Sequence, residues 1–163
     1  MSNANLALRE PTEELWKRAD WQRMWLSVWT QNWTSLALVP AGTGAPPDFT
    51  LTIAATLARV GMTHLGVPIH VADGTQVRLS HIVPFIEEVR NQQHSGDLIL
   101  IALPPVRESP VTVSIAQSAS NALLCVLLET MTSLEGRETL AKIGKDRFIG
   151  SVVFHAEPSK RRK

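Results

Sequence analysis

Residues 97–105 read Asp97-Leu98-Ile99-Leu100-Ile101-Ala102-Leu103-Pro104-Pro105. Six consecutive aliphatic residues run from an acid to a proline pair. A strand with one wet face would alternate apolar with polar, so an unbroken run predicts a strand covered on both faces, as in a parallel sheet. Residues 35–41 and 122–128 are further apolar strands, and residues 67–72 are a strand candidate interrupted by Pro68 and His70. Residues 148–154 supply a fifth. Between them lie segments with helical spacing. Residues 49–60 carry apolar positions on a helical period and stop at Gly61, which reads as a cap. Pro84 opens a helix through Gln93, because a missing N–H costs nothing in a first turn. Residues 110–121 are weakly helical. Thr132-Ser133-Leu134-Glu135 is a capping box that opens a helix to about Ile143. Before the first strand, Pro11 and the acids around it start a helix that extends to about Asn32. Strands alternating with helices predict an α/β three-layer sandwich with a mostly parallel central sheet.

The chain of 163 residues fits one domain. The expected division is an N-terminal arm over 1–11, a single domain over 12–155 and a basic polar tail over 156–163, ending Lys160-Arg161-Arg162-Lys163. Hydrophobic residues make up 44% and charged residues 19%, too apolar a mixture for a disordered chain. Formal net charge is +1, which gives no basic stripe of the kind nucleic acid requires. No run approaches the roughly 18 apolar residues of a membrane span, and residues 1–10 lack the charged start and apolar block of a secretory signal. A cytoplasmic location is the expectation. Cys125, the lone cysteine, lies in an apolar run and reads as a buried hydrophobe.

A strand, a glycine-containing loop and a helix, over 35–60, is the setting in which a P-loop holds phosphate. The order of segments from about Thr12 to Phe154 resembles the cytoplasmic domain of bacterial tyrosine kinases (BY-kinases), within the MinD/ParA group of P-loop ATPases. Residues 52–58, Thr-Ile-Ala-Ala-Thr-Leu-Ala, resemble that family's helix after the P-loop, T-x-A-A-N-L-A. Residues 67–73 resemble the strand that ends in its acidic D-A-D signature. Residues 97–106 resemble the Walker B strand, D-x-[VI]-[IL]-[IV]-D-T-P-P, and residues 148–153 resemble the later strand, [IVL]-x-G-[VI]-V-x-N. The resemblance implies a P-loop NTPase-like fold.

The same alignment implies that the nucleotide site has been erased. Gly42 and Gly44 lie in the loop, but Phe49 falls on a glycine, where its ring is expected to intrude on the phosphate. Thr50 falls on the P-loop lysine and Leu51 on the Mg²⁺-holding hydroxyl. Val71 replaces the first D-A-D aspartate, Asp73 stands at the second, and Ala102 replaces the Walker B aspartate. Pro46 and Pro47 remove two N–H groups from the cradle. No lysine occurs between Lys17 and Lys142, and the chain contains no tyrosine to phosphorylate. Phosphoryl transfer depends on positioning and charge neutralisation by these groups. The expectation is therefore no catalytic residue, no cofactor and no metal, with Asp73 capping backbone N–H groups of its own loop.

Trp21, Trp25, Trp29 and Trp33 recur every fourth residue, as a stripe that either packs on the sheet or leaves aromatic surface for an interface. Glu14, Lys17, Arg18 and Arg23 loosely echo the family's E-x-x-R-x-x-R oligomerisation pattern. The resemblance implies a binding or scaffolding role in bacterial exopolysaccharide or capsule assembly. The expected partner is a protein: a membrane polysaccharide co-polymerase or export protein, an active homologue, or a further copy of the chain. Contact with a membrane protein would bring the chain to the inner membrane. Two other readings stand beside it: a MinD/ParA-like spatial regulator without ATPase activity, and an enzyme with a site rebuilt near Asp73 or Arg107.

Overall fold

A computed structural model describes residues 3–6 and 15–156. Its centre is a six-stranded, all-parallel sheet: β1 (Asn3–Leu6), β2 (Ser35–Pro40), β3 (Ile69–Asp73), β4 (Leu98–Ala102), β5 (Asn121–Leu127) and β6 (Phe148–Ala156), in spatial order β1-β6-β5-β2-β4-β3. Five of these are the strands legible in the sequence. The sixth, β1, lies within the expected N-terminal arm and pairs with the far end of β6, Asn3 opposite Val153. The basic tail from 157 onward lies outside the described residues.

Alternation along each strand divides the core into two layers. Leu36, Leu38, Leu100, Leu123 and Cys125 face α1 (Ala19–Trp29) and α2 (Phe49–Leu65). Ala37, Val39, Ile99, Ile101 and Ala122 face the opposite way, towards α3 (Ile82–His94), α4 (Val111–Ser118) and α5 (Ser133–Ile143). Both sides of β2 and β4 are thus covered, which is why residues 98–102 need no polar face. Among the described residues, no helix is long and apolar enough to cross a membrane.

Two helix boundaries differ from the sequence expectation. The first helix does not run unbroken from residue 10; residues 10–14 lie outside the described residues, Leu15–Lys17 form a 3-10 turn, and Arg18 is extended at φ −73°, ψ 139°. Asp20 explains the new start. Its carboxylate accepts the backbone N–H of Trp21 (2.9 Å) and a guanidinium N–H of Arg18 (3.0 Å), fixing the first turn of α1. In α2 the helix passes straight through Gly61 and ends at Gly66, whose φ of +69° makes it the left-handed cap. Gly61 serves packing instead. A Cβ there would meet Cδ1 of Ile69 and lie 2.6 Å from Cη2 of Trp25, so the missing side chain is what lets α1 and β3 close on α2.

The tryptophan stripe belongs to the core. Trp21, Trp25 and Trp33 are 0%, 1% and 2% exposed, which removes them as surface anchors; Trp29 is half-buried. Trp21 packs against Phe154 of β6 with centroids 5.6 Å apart, and Trp25 sits between a stacked Trp29 and an edge-on Trp33. The indole N–H groups of Trp25 and Trp33 bond His64 Nδ1 (3.2 Å) and the Val28 carbonyl (3.0 Å), so both rings are buried with their polar edges satisfied. A four-residue spacing drifts slowly around a helix, and the sheet absorbs most of that drift.

Candidate functional site

The carboxyl end of β2 lies between those of β4 and β5, the position at which open α/β sheets bind ligands. Ala41 continues the ladder, its N–H bonding the Cys125 carbonyl at 2.8 Å. The chain then turns through residues 42–48 into α2. Gly44 requires its freedom, with φ +101° and the Thr130 carbonyl oxygen 2.8 Å from where a Cβ would stand.

Gly42 is crowded by a side chain from the far end of the sequence. A Cβ at Gly42 would lie 2.6 Å from Oε2 of Glu135. Glu135 reaches this place through the capping box of α5: Thr132 Oγ1 accepts the Glu135 N–H (3.2 Å), and Glu135 Oε2 accepts the Thr132 N–H (2.9 Å). The second oxygen turns to the loop. Oε1 accepts the backbone N–H of Thr43 (3.3 Å) and its hydroxyl (3.0 Å). Arg107, from the segment after β4, approaches Oε1 at 3.6 Å and binds Glu138 Oε2 at 2.6 Å. The Thr132 and Thr43 donors hold the Glu135 carboxyl below its ordinary range, the Thr132 N–H contributing most and the Thr43 hydroxyl next. Thr139 fastens α5 to the loop by donating to the carbonyls of Ala41 (3.1 Å) and Glu135 (2.8 Å).

A backbone N–H, a hydroxyl and a guanidinium converging on one point are the donors a phosphate would use. Here a carboxylate of the chain itself takes them. The space left beside Gly42, Arg107, Glu135 and Lys142 is about 10 Å³, room for one water and far short of a triphosphate.

The other sequence-derived positions fall as follows. Phe49 is 1% exposed and its ring turns inward, edge-on to Phe154 with centroids 5.8 Å apart; it does not intrude into the loop as expected, because the core beneath β6 offers it apolar partners. Its N–H is taken by the Pro46 carbonyl (3.0 Å). Thr50 is buried and donates to the Leu103 carbonyl at 2.8 Å, tying α2 to the end of β4. Leu51 packs against the α1–α2 core. Ala102 is fully buried, and its carbonyl accepts the Gly74 N–H (2.8 Å). Val71 is partly exposed on the edge strand β3. Asp73 Oδ1 accepts both the N–H and the hydroxyl of Thr75, capping its own loop. The cavity beside Asp73, about 210 Å³, is walled by β3 and α3 and shares no lining residue with the one at Gly42. Among the described residues no group of three His, Cys, Asp or Glu side chains could hold a metal.

Thr43, Glu135 and Glu138 carry most of this site and were not among the sequence candidates. The capping box was legible, but its glutamate read as a local helix start.

Solved structures supply the comparison. The BceF tyrosine kinase domain superposes with a TM-score of 0.58 at 13% identity, over 85% of this chain and 75% of that one. The chain has a BY-kinase-like fold. The chimerical protein CapA2B2 superposes with a TM-score of 0.67 at 12% identity, over 97% of this chain and 94% of that one. No sequence-family model and no curated protein matches the chain.

Proposed function

We propose that this chain is a non-catalytic relative of the BY-kinases, a pseudo-ATPase that binds or scaffolds a protein partner in bacterial exopolysaccharide or capsule assembly and export. The observation that carries the reading is the Glu135 carboxylate seated on the Thr43 N–H and hydroxyl. A negative charge fixed there repels a phosphate and has already used both donors of Thr43. The lysine that would offset it is missing, since threonine stands at that position, and alanine at the Walker B position removes the carboxylate that would order Mg²⁺. The partner on this reading is a membrane polysaccharide co-polymerase or export protein, or an active homologue, and the chain works in the cytoplasm, at the inner membrane through that partner. Its BY-kinase-like fold supports the class of partner. Calorimetric titration with ATP and Mg²⁺ tests the empty-site claim: no saturable heat is expected, and micromolar binding refutes it.

A further inference from the structure

Strand β3 closes one side of the sheet, and among the described residues nothing pairs with its outer edge. The Gly74 N–H bonds the Ala102 carbonyl, so Gly74 faces β4; alternation then turns the N–H and C=O groups of Ile69, Val71 and Asp73 outward. The usual guards of an edge are missing: residues 69–73 contain no lysine or proline, and their register with β4 has no bulge. An open groove of about 210 Å³ runs beside this edge, between Val71, Ala72 and Asp73 on one side and Phe85, Glu88, Val89 and Gln92 of α3 on the other. An extended segment laid along β3 would fill it.

Both faces of such a segment meet a carboxylate. Ile69 packs towards α2, and Asp73, four residues on, shares its face; Glu88 comes from α3 on the opposite face. Asp73 Oδ2 and Glu88 have no partner among the described residues, and no lysine or arginine lines the groove. Residues 159–163, Ser-Lys-Arg-Arg-Lys, offer the reverse charge and, lying after Pro158, keep every backbone N–H. When extended, they set Lys160 and Arg162 on one face and Arg161 and Lys163 on the other.

Within one chain that segment falls short. Across the sheet Asp73 is level with Ala102, Leu38, Leu123 and Gly150. Four strand spacings, about 19 Å, separate β3 from β6, and Ala156 lies about 20 Å beyond Gly150 along β6. The resulting gap is roughly 28 Å, whereas residues 157–163 span at most about 25 Å. Leu6, paired with Ala156, is one strand further away at roughly 31 Å, more than the roughly 29 Å that residues 7–14 span.

We propose that residues 159–163 of a second copy add to the open edge of β3 as a further strand, their backbone pairing with Val71 and Asp73 and their cations meeting Asp73 on one face and Glu88 on the other. Main-chain bonds supply the attachment and the two acids select a basic segment. This deepens the scaffolding reading by naming a copy of the chain as a partner, yet it takes nothing from the loop at Gly42. Titration with Mg²⁺·ATP reports on that loop alone, so the two ideas fail separately.

Light scattering on the full-length chain after gel filtration, at low salt and rising concentration, tests the proposal. The wild-type mass is expected to climb above that of one chain, and less so as salt is added. Glu88→Lys should weaken association roughly tenfold or more, as should K160E, R161E, R162E and K163E made together. Combining all five changes in one chain should recover part of it. Val71→Pro, which deletes an outward N–H and leaves the β4 ladder bonded, should abolish association, as loose charge attraction would not. Glu88 is exposed, so Glu88→Lys is expected to unfold at the wild-type urea midpoint and decides the matter even where Val71→Pro fails to fold. The proposal is overturned if the wild type stays a single chain up to its solubility limit, if Glu88→Lys associates as the wild type does, or if a folded Val71→Pro does. Binding to phosphatidylglycerol vesicles that the four tail changes abolish, with the wild type a single chain in solution, would assign the basic segment to membrane lipid and overturn it equally.

Discussion

Replacing Glu135 by glutamine removes one charge from the loop while keeping the side chain's length. In the wild-type protein four donors converge on this carboxylate: the N–H and hydroxyl of Thr132, and the N–H and hydroxyl of Thr43. Glutamine can still serve a capping box through one oxygen. Its NH₂ must then face either the Thr43 or the Thr132 pair, turning donor against donor. A hydrogen bond to a charged group contributes about 1.5–3 kcal/mol, and a neutral one about 1 kcal/mol. Water at the loop's mouth relieves part of the mismatch, so the net destabilisation should be about 2 kcal/mol at pH 7. For a chain of this size that lowers the melting midpoint by about 4–8 °C. Thermal and urea unfolding followed by tryptophan fluorescence reads it, since Trp21, Trp25 and Trp33 are buried. The pH dependence fixes the cause. The folded carboxyl lies below its ordinary value of 4.5, so its contribution is complete above that value. It is lost as pH falls through the lowered folded value. The gap between wild type and Glu135→Gln should therefore be full at pH 7 and close in strong acid. Glu138→Gln, on the exposed arm of the cluster, should move the midpoint little. A Glu135→Gln protein as stable as wild type at pH 7 would refute the claim that the carboxylate holds the loop.

Thr50→Lys should not restore Mg²⁺·ATP binding in calorimetry, because the Glu135 carboxylate and Ala102 remain; it should also destabilise the fold by about 2 kcal/mol or more, since Thr50 is buried and bonded to Leu103. Gly61→Val should cost about 2–3 kcal/mol in urea unfolding by driving a side chain into Trp25 and Ile69, whereas Gly66→Ala, with open space but φ +69°, should cost about 1 kcal/mol. Burial pushes the Cys125 thiol far above its usual range, so a thiol-reactive disulfide reagent should label it only after denaturant is added.

Periodicity sufficed for the layered sheet, because a strand buried on both faces has to be apolar at every position, and residues 98–102 are. The capping box of α5 was equally legible, since its four residues act within one turn. Helix limits at Gly61 and Arg18 were not. A glycine used as a cap and one used for close packing look alike until the neighbouring helix is in place.

By itself, the amino-acid sequence determined which chemistries are missing around the loop after β2: no lysine at residue 50 and no hydroxyl at 51 in α2, and no carboxylate at 102 at the end of β4, absences that no folding can reverse. What stands in that loop instead was decided only by the tertiary structure. Thr43 and Glu135 are 92 residues apart and meet because α5 packs its first turn against the end of β2. The same holds for the tryptophans, whose spacing was plain but whose burial depended on β6 and α2 closing over them. Local pattern follows from the chain's own geometry, whereas which distant groups share a hydrogen bond depends on the packing of every element between them.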